Sequence, residues 1–410
     1  MSCEFPSFRP PRKNGNSQLT GGASAELSED GQMTSSGSWL DVPQQDIDEL
    51  RDRLLRTRWS PDWPVAGWAA GTDQDELRRL ASYWADGFDW RAQERQINEL
   101  PWRSATISGT ELSYLRFEPE AGATESALPI VLTNGWPSTA LELVELARRL
   151  ASPSEYGADA SDAFTVIVPA LPGFPFSPQR PTHTDQTHEL WHELMHGILG
   201  FRRYAAHGGD LGAGITSRLA QAHPESLVGI HLLAVAAPAD ADPATLTGEE
   251  HAYLESVQAW LSEEGGYQHE QQTRPLSLAP ALSDSPVGLL AWIVEKYRAW
   301  SDSDGNLSTR FSDDFVLTQA SLYWFTNSIS TSFRPYWEFA AGHTARVQRV
   351  RVPTAVAVFP RDLTQPPRSW AERTYDVQRY TKMDRGGHFA PHEEPDVLAD
   401  DLREFLRPLR

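Results

Sequence analysis

A chain of 410 residues with 40% hydrophobic and 22% charged residues has the length and composition of a decorated, water-exposed α/β protein. Its formal charge of −20, from 36 basic and 56 acidic residues, argues against nucleic acid and anionic membranes as partners. The single cysteine, Cys3, excludes an intrachain disulfide and a thiolate metal site; it fits a reducing compartment, so a cytoplasmic location is expected.

No apolar run reaches the roughly 18 residues that span a membrane, and no basic-then-apolar leader opens the chain, so no membrane anchor is expected. Residues 1–36 are rich in Ser, Gly and Pro and read as a disordered tail. Met33 stands just before the first patterned segment and is an alternative start, which an N-terminal peptide from residues 1–32 in the mass spectrum would exclude.

Over 44–58, Ile47, Leu50, Leu54 and Leu55 mark one apolar helical face. Trp59, Trp63 and Trp68 come next, in a Pro- and Gly-rich loop. A second helix is predicted over 74–86, with Leu77, Leu80 and Trp84 on one side, and a third from Phe88-Asp89-Trp90 to about Leu100. The tryptophans read as a belt packed against the core and lid of the protein. Two alternating runs, 104–107 and 112–117, flank Ser108-Gly109 as a hairpin would. The runs 129–133 and 164–168 are apolar throughout, as in strands buried on both faces. They lead into Asn134-Gly135-Trp136-Pro137 and Pro169-Ala170-Leu171-Pro172-Gly173-Phe174.

A helix over 187–199 precedes a short strand at 203–206, and 227–233 is the next strand. Residues 236–345 are helical, aromatic and punctuated by proline. Strands return at 353–359 and 378–383, and a helix closes the chain over 395–407. Alternating strands and helices predict an α/β fold with a mostly parallel sheet. The expected division is a tail over 1–36, a helical meander over 37–100, core over 101–235, a helical lid over 236–345 and the rest of the core over 346–410.

The strand at 203–206 runs into His207-Gly208-Gly209-Asp210-Leu211-Gly212 and then a helix. Gly-x-nucleophile-x-Gly between strand and helix is the nucleophile elbow of α/β-hydrolases, here with Asp210 in place of the usual Ser. Taken alone, the pentapeptide equally fits a loop with a capping Asp. The rest of the chain supplies what such chemistry requires: a base, an acid to orient it, and oxyanion donors. Asp362 and His388 come later in the order nucleophile, acid, His, each just past a predicted strand and so at one sheet edge. Glu338 and Asp384 are rivals for the place of Asp362.

A carboxylate attacks amides poorly but opens strained or activated C–O and C–halogen bonds, leaving an ester on Asp210. Water activated by His388 would hydrolyse that ester, with Asp362 fixing the imidazole tautomer. The backbone N–H groups of Trp136 and Leu211 are the natural oxyanion donors. An opened epoxide leaves an alkoxide, and a neutral Tyr hydroxyl suits its protonation. Tyr253, Tyr267, Tyr297, Tyr323 and Tyr336 are available, and spacing does not choose among them. His207, His231, His269 and His392 lack metal-ligand spacing, so no metal is expected.

The blocks Leu40-Asp41-Val42-Pro43, Thr57-Arg58-Trp59, Tyr83-Trp84-Ala85-Asp86-Gly87-Phe88-Asp89-Trp90, Leu171-Pro172-Gly173-Phe174, Asp284-Ser285-Pro286-Val287-Gly288-Leu289 and Arg385-Gly386-Gly387-His388-Phe389 stand in order. Through them the chain resembles the microsomal-type epoxide hydrolases from about residue 38 to its end. The resemblance implies an α/β-hydrolase fold with an N-terminal helical meander and a helical lid, and hydrolysis of a small-molecule epoxide to a vicinal diol. Water is then the second substrate, no cofactor or metal is called for, and a homodimer is an open expectation. Tyr267, in Gly266-Tyr267-Gln268-His269, and Tyr336, in Ser332-Phe333-Arg334-Pro335-Tyr336, match that family's two epoxide-binding tyrosines.

Three positions depart from the pattern. Asn134 stands where the family has His, Leu211 where it has Trp, and Pro175 where it has Gly. Two rival readings share the scaffold: a haloalkane dehalogenase-like hydrolase and a catalytically silent binding protein. Against the first, Leu211 offers no side-chain N–H to a halide; against the second, all three triad members are present.

Overall fold

The computed structural model describes residues 39–123, 127–180, 186–239 and 241–410; the tail expected over 1–36 and Met33 lie outside the described residues. The strands are β1 (Trp102–Ile107), β2 (Thr110–Phe117), β3 (Leu128–Thr133) and β4 (Phe164–Pro169), then β5 (Tyr204–Gly208), β6 (Leu227–Leu232), β7 (Pro353–Val358) and β8 (Asp376–Lys382). Helices α1 (Gln44–Leu55), α2 (Gln74–Asp86) and α3 (Trp90–Asn98) precede them. Helices α4 (Val144–Ala151), α5 (Thr187–His192) and α6 (Asp210–Ala222) connect the middle strands. Between β6 and β7 come α7 (Gly248–Glu264), α8 (Gly266–Thr273), α9 (Pro275–Asp284) and α10 (Pro286–Ala299), then α11 (Asp313–Thr326), α12 (Ile329–Ser332) and α13 (Arg334–Ala340). The chain ends through α14 (Arg368–Glu372), α15 (Ala390–Glu393) and α16 (Pro395–Leu406).

The strands form one sheet in the order β1-β2-β4-β3-β5-β6-β7-β8. β2 runs antiparallel to β1 and β4, and every later pairing is parallel. This is the α/β-hydrolase arrangement. The β1–β2 hairpin turns through Ser108 and Gly109, with φ of 51° and 76°, the left-handed pair a two-residue hairpin requires. Residues alternate between the two faces of the sheet. Ile130, Leu132, Val166 and Val168 pack with Leu146 of α4 and Leu402 of α16, whereas Val131, Ile167 and Ile230 pack with Leu190 of α5 and Leu219 of α6. Helices on both faces explain why every residue of β4 and β6 is buried.

Two local expectations needed correction. Leu55 is 55% exposed, because it points about 140° away from Leu50 at 100° per residue, off the face that Leu50 and Leu54 bury. The helix expected over 187–199 is α-helical only to His192 and π-wound over Glu193–Ile198, a change of hydrogen-bond register that apolar spacing does not report.

The N-terminal helices clamp the helical block between β6 and β7. Asp73 caps α2 by accepting from the N–H groups of Asp75 and Glu76. From the same helix Trp84 Nε1 donates to Ser321 Oγ at 2.9 Å, Tyr83 Oη donates to Asp314 at 2.8 Å, and Arg79 pairs with Asp313 at 2.6 Å. Trp90 packs on Phe325 with ring centroids 4.8 Å apart, while Trp63 is 73% exposed and stands outside the belt. A second tie is the buried Glu250 of α7, which accepts from Arg373 at 2.6 and 2.8 Å. Among the described residues no single helix is long and apolar enough to cross a membrane; α9 and α10 pass that test only together and are bent by 116° at their junction.

Candidate active site

β5 ends at Gly208, and two residues later Asp210 opens α6 in the left-handed region, with φ of 49°. A non-glycine residue held there is strained, and the strain lifts its side chain out of the turn. The flanking glycines answer to close approach. A Cβ on Gly208 would sit 2.3 Å from the carbonyl oxygen of Gly212, and one on Gly212 would sit 2.1 Å from that of Thr133. A Cβ on Gly135 would lie 2.3 Å from the Asp210 Cβ, so the turn after β3 must also be bare to meet the nucleophile.

That turn delivers a donor. The Trp136 backbone N–H donates to Asp210 Oδ1 at 2.9 Å. Asn134 holds the turn closed, its Nδ2 donating to the carbonyls of Gly135 at 2.9 Å and Ser138 at 3.1 Å. The substitution of Asn at this position therefore leaves the Trp136 N–H aimed at Asp210. Leu211 occupies the first turn of α6, where N–H groups have no partner within the helix and the helix dipole is positive.

His388 enters from the loop after β8. Gly387 must be glycine, since its Cβ would lie 2.6 Å from the Trp300 carbonyl that accepts the His388 N–H at 2.8 Å. His388 Nδ1 is 2.7 Å from Asp362 Oδ1, and Nε2 is 3.8 Å from Asp210 Oδ2. Asp362 Oδ1 also accepts the Leu363 N–H at 2.7 Å. Of the three candidate acids, only Asp362 is brought to His388. Asp384 is exposed, and Glu338 accepts from Arg334 Nε at 2.7 Å on α13. Burial lowers the affinity of His388 for its proton, but Asp362, then Asp210 and Glu142, outweigh it and hold the imidazole up at about 9.

A cavity of about 490 Å³ opens over Asp210, walled by apolar groups including Phe174, Leu211, Val257, Trp260 and Phe339. Three of the five candidate tyrosines line it: Tyr253, Tyr267 and Tyr336. The other two point elsewhere, Tyr297 Oη lying 3.0 Å from Ser138 Oγ and Tyr323 Oη donating to the Ser138 carbonyl at 3.3 Å. Tyr253 stands on the side of Thr364 and Asp362. Tyr267 and Tyr336 meet edge to face with centroids 6.2 Å apart. Burial first, and the Asp210 charge second, push both phenols well above their ordinary range, so they stay protonated. The Tyr336 hydroxyl lies close enough to Tyr267 to feel it, yet makes no hydrogen bond of normal geometry.

Several participants were not visible in the sequence. Trp300 presents an edge to the His388 ring at 5.3 Å, and Lys296 Nζ sits 4.8 Å from the Tyr267 ring centroid. Glu142 is buried beside the site. The signal for it was a lone acid among Ala140-Leu141-Glu142-Leu143-Val144, which at helical spacing reads as a surface position. His207 and His231 are buried inside the sheet, Nδ1 to Nδ1 at 3.0 Å, with His231 Nε2 2.9 Å from Asp401. Among the described residues no group of three or more His, Cys, Asp or Glu is placed to hold a metal ion.

Residues 38–143 match the family model described as "Epoxide hydrolase N terminus", and residues 130–401 match the "Alpha/beta hydrolase family" model. A protein of Stigmatella aurantiaca (strain DW4/3-1) with a provisional epoxide hydrolase name is 40% identical over 375 residues, covering 90% of this chain and 84% of that one. Epoxide hydrolase 1 of Sus scrofa is 31% identical over 399 residues, covering 90% and 87%. The crystal structure of juvenile hormone epoxide hydrolase from the silkworm Bombyx mori superposes with a TM-score of 0.80 at 28% identity, over 90% of this chain and 93% of that one. The Aspergillus niger epoxide hydrolase structure gives 0.78 at 26% identity, over 90% and 95%.

Proposed function

Since this chain belongs to the epoxide hydrolase family of α/β-hydrolases, we propose that it opens a small-molecule epoxide through a covalent ester on Asp210 and hydrolyses that ester with water. One observation carries the proposal. Asp210 has one oxygen held by the Trp136 N–H and the other facing His388, beneath two buried phenols.

The geometry divides the labour between the two carboxylate oxygens. Oδ1 is tied to the oxyanion donor, so Oδ2 attacks the epoxide carbon as the ring C–O bond breaks. The released alkoxide takes a proton from the hydroxyl of Tyr267 or Tyr336. Both remain protonated at neutral pH and overhang the nucleophile. Desolvated walls keep bulk water from competing for the epoxide.

Ester formation then changes the base. While Asp210 is charged, it helps keep His388 protonated. Alkylation removes that charge, so the imidazole gives up its proton, which makes good the one the phenol lost, and becomes a proton acceptor only when an ester is there to be hydrolysed. Water adds to the ester carbonyl as His388 Nε2 takes its proton. The negative charge collects on Oδ1, stabilised by the Trp136 and Leu211 N–H groups, the diol oxygen leaves with the proton from His388, and the Asp210 carboxyl group then returns its own proton to the imidazole. Asp362 holds the imidazole with Nε2 forward and stabilises its cation.

The acidic surface and lone Cys3 support a cytoplasmic location, and gel filtration with light scattering addresses the homodimer. Incubation with styrene oxide tests the function itself. The expected product is the vicinal diol, lost in Asp210→Ala. Halide release from a haloalkane without diol formation would favour a dehalogenase. Silence toward both substrate classes would favour a binding role.

A further inference from the structure

A second, much smaller space adjoins Asp210 and His388 but touches neither Tyr267 nor Tyr336. Its volume is about 10 Å³, room for about one water molecule, and its other polar walls are Thr133, Asn134, Ser138 and Glu142. One of these walls has an unmet demand, and another is a buried carboxyl group. Asn134 Oδ1 is buried without a hydrogen-bond partner, although its Nδ2 is fully engaged. Glu142 is 5% exposed, in the 3₁₀ turn Ala140–Leu143 that Thr139 caps through the Leu141 N–H. Buried polar atoms nearly always find a partner, so a one-water cavity between an orphaned acceptor, a carboxyl group and a catalytic imidazole calls for a water.

We propose that Asn134 and Glu142 hold one water molecule in this space, and that it is the water His388 deprotonates when the Asp210 ester is hydrolysed. The inference rests on the proposed Asp210 ester. The water oxygen bonds to Asp210 Cγ while one of its protons passes to His388 Nε2, and the carbonyl pair moves onto Oδ1. On collapse the bond from Cγ to the diol oxygen breaks, and that oxygen takes the proton from His388. Glu142 accepts a hydrogen bond from the proton the water keeps, which turns an oxygen lone pair toward Cγ. Because this space lies apart from the tyrosines, the water would not be displaced by the epoxide.

Glu142 is placed for this. Burial pushes its carboxyl up to about 7, with Ser138 and His388 pulling it down. The charged and titratable groups around it are Asp210, His388, Glu393 on α15, and the phenols of Tyr297 and Tyr323 on α10 and α11. His392, next to Glu393 on α15, is pushed down to about 4 by burial and is neutral near pH 7.

The test uses full-length protein, styrene oxide, rapid quenching and intact-mass detection of the Asp210 ester. Glu142→Gln should slow ester hydrolysis by about 10- to 100-fold while alkylation changes less than about threefold, so the ester accumulates. The hydrolysis step should also lose its pH dependence near 7, which a purely structural role would not alter. Glu142→Asp, which keeps the carboxylate but draws it back, should slow the same step less and keep its pH dependence near 7, and it carries the test should Glu142→Gln not fold. Equal slowing of both half-reactions, or of neither, overturns the water site. If no ester forms on Asp210 in the wild type or in His388→Asn, the ester reading itself fails. A normal wild-type ester hydrolysed at full rate by Glu142→Gln sinks the water site alone.

Discussion

Trp136 and Tyr267 lie face to face, ring centroids 5.4 Å apart and 7° from parallel. The stack links the turn after β3 to α8, two elements more than 100 residues apart in sequence. The backbone of Trp136 holds Asp210 Oδ1, and its side chain holds a phenol that faces the same carboxylate. Nucleophile and acid are thereby set against one frame. The opened oxygen need not search for its proton, because both partners were positioned before substrate arrived.

This pairing predicts how the tyrosines share their work. Tyr267→Phe or Tyr336→Phe should each slow single-turnover alkylation by about 10- to 100-fold, and the double variant should nearly abolish it. Because both hydroxyls serve one alkoxide, the effects should not add. Tyr253→Phe, on the Asp362 side of the cavity, should leave alkylation within about threefold of wild type. Stopped-flow measurement of ester formation decides the matter, and unchanged alkylation in the double variant would remove the tyrosines from the mechanism.

His388 and Asp362 belong to the second half-reaction. In His388→Asn the ester should still form, and its hydrolysis should slow by about 10² to 10⁴. Intact-mass spectra should then show an adduct equal to the epoxide. Asp362→Asn should act on the same step, since it disturbs the tautomer that leaves Nε2 free. Loss of alkylation with no adduct would contradict this division.

The charge state of His388 also enters stability. Its folded value of about 9 lies above the ordinary 6.5, so the stabilisation is complete below pH 6.5 and is lost as pH rises through 9. Glu142, raised from 4.5 to about 7, acts in the same sense at lower pH, leaving the window between 7 and 9 to His388. Thermal melts of wild type should therefore fall across that window by several degrees more than those of His388→Asn. Parallel curves would show that the imidazole is not held protonated by its neighbours.

Leu211 lines the cavity next to the nucleophile. Leu211→Trp should fill part of the floor. KM for a bulky aryl epoxide should rise about tenfold, with styrene oxide little affected, since an overpacked wall penalises the larger ligand first. Equal effects on both substrates would place the constriction elsewhere.

Much of this architecture was legible because it rests on local signals. Continuous apolar runs marked the buried strands, and the spacing of Leu77, Leu80 and Trp84 marked α2. The elbow was legible for a stronger reason: Gly208, Gly212 and Gly135 are positions where a side chain cannot fit. What stayed hidden depends on distant packing. Spacing left five tyrosines alike and only the resemblance singled out Tyr267 and Tyr336; the physical reason came with the fold, which turns Tyr297 and Tyr323 toward Ser138 and leaves Tyr253, Tyr267 and Tyr336 lining the cavity over Asp210. Glu142 is equally invisible, since its apolar neighbours suggest a helix and a helix has an outer face. Only the close approach of α15 and the β8 loop makes that face an inner one.

A single turnover in heavy-oxygen water tests the Asp210 ester, and with it the whole mechanism, most directly. With enzyme in excess over epoxide, the first diol should carry unlabelled oxygen taken from Asp210, and the peptide containing Asp210 should gain the heavy isotope. A diol that carries the label after one turnover, with Asp210 unlabelled, would mean that water attacks the epoxide directly and no ester forms.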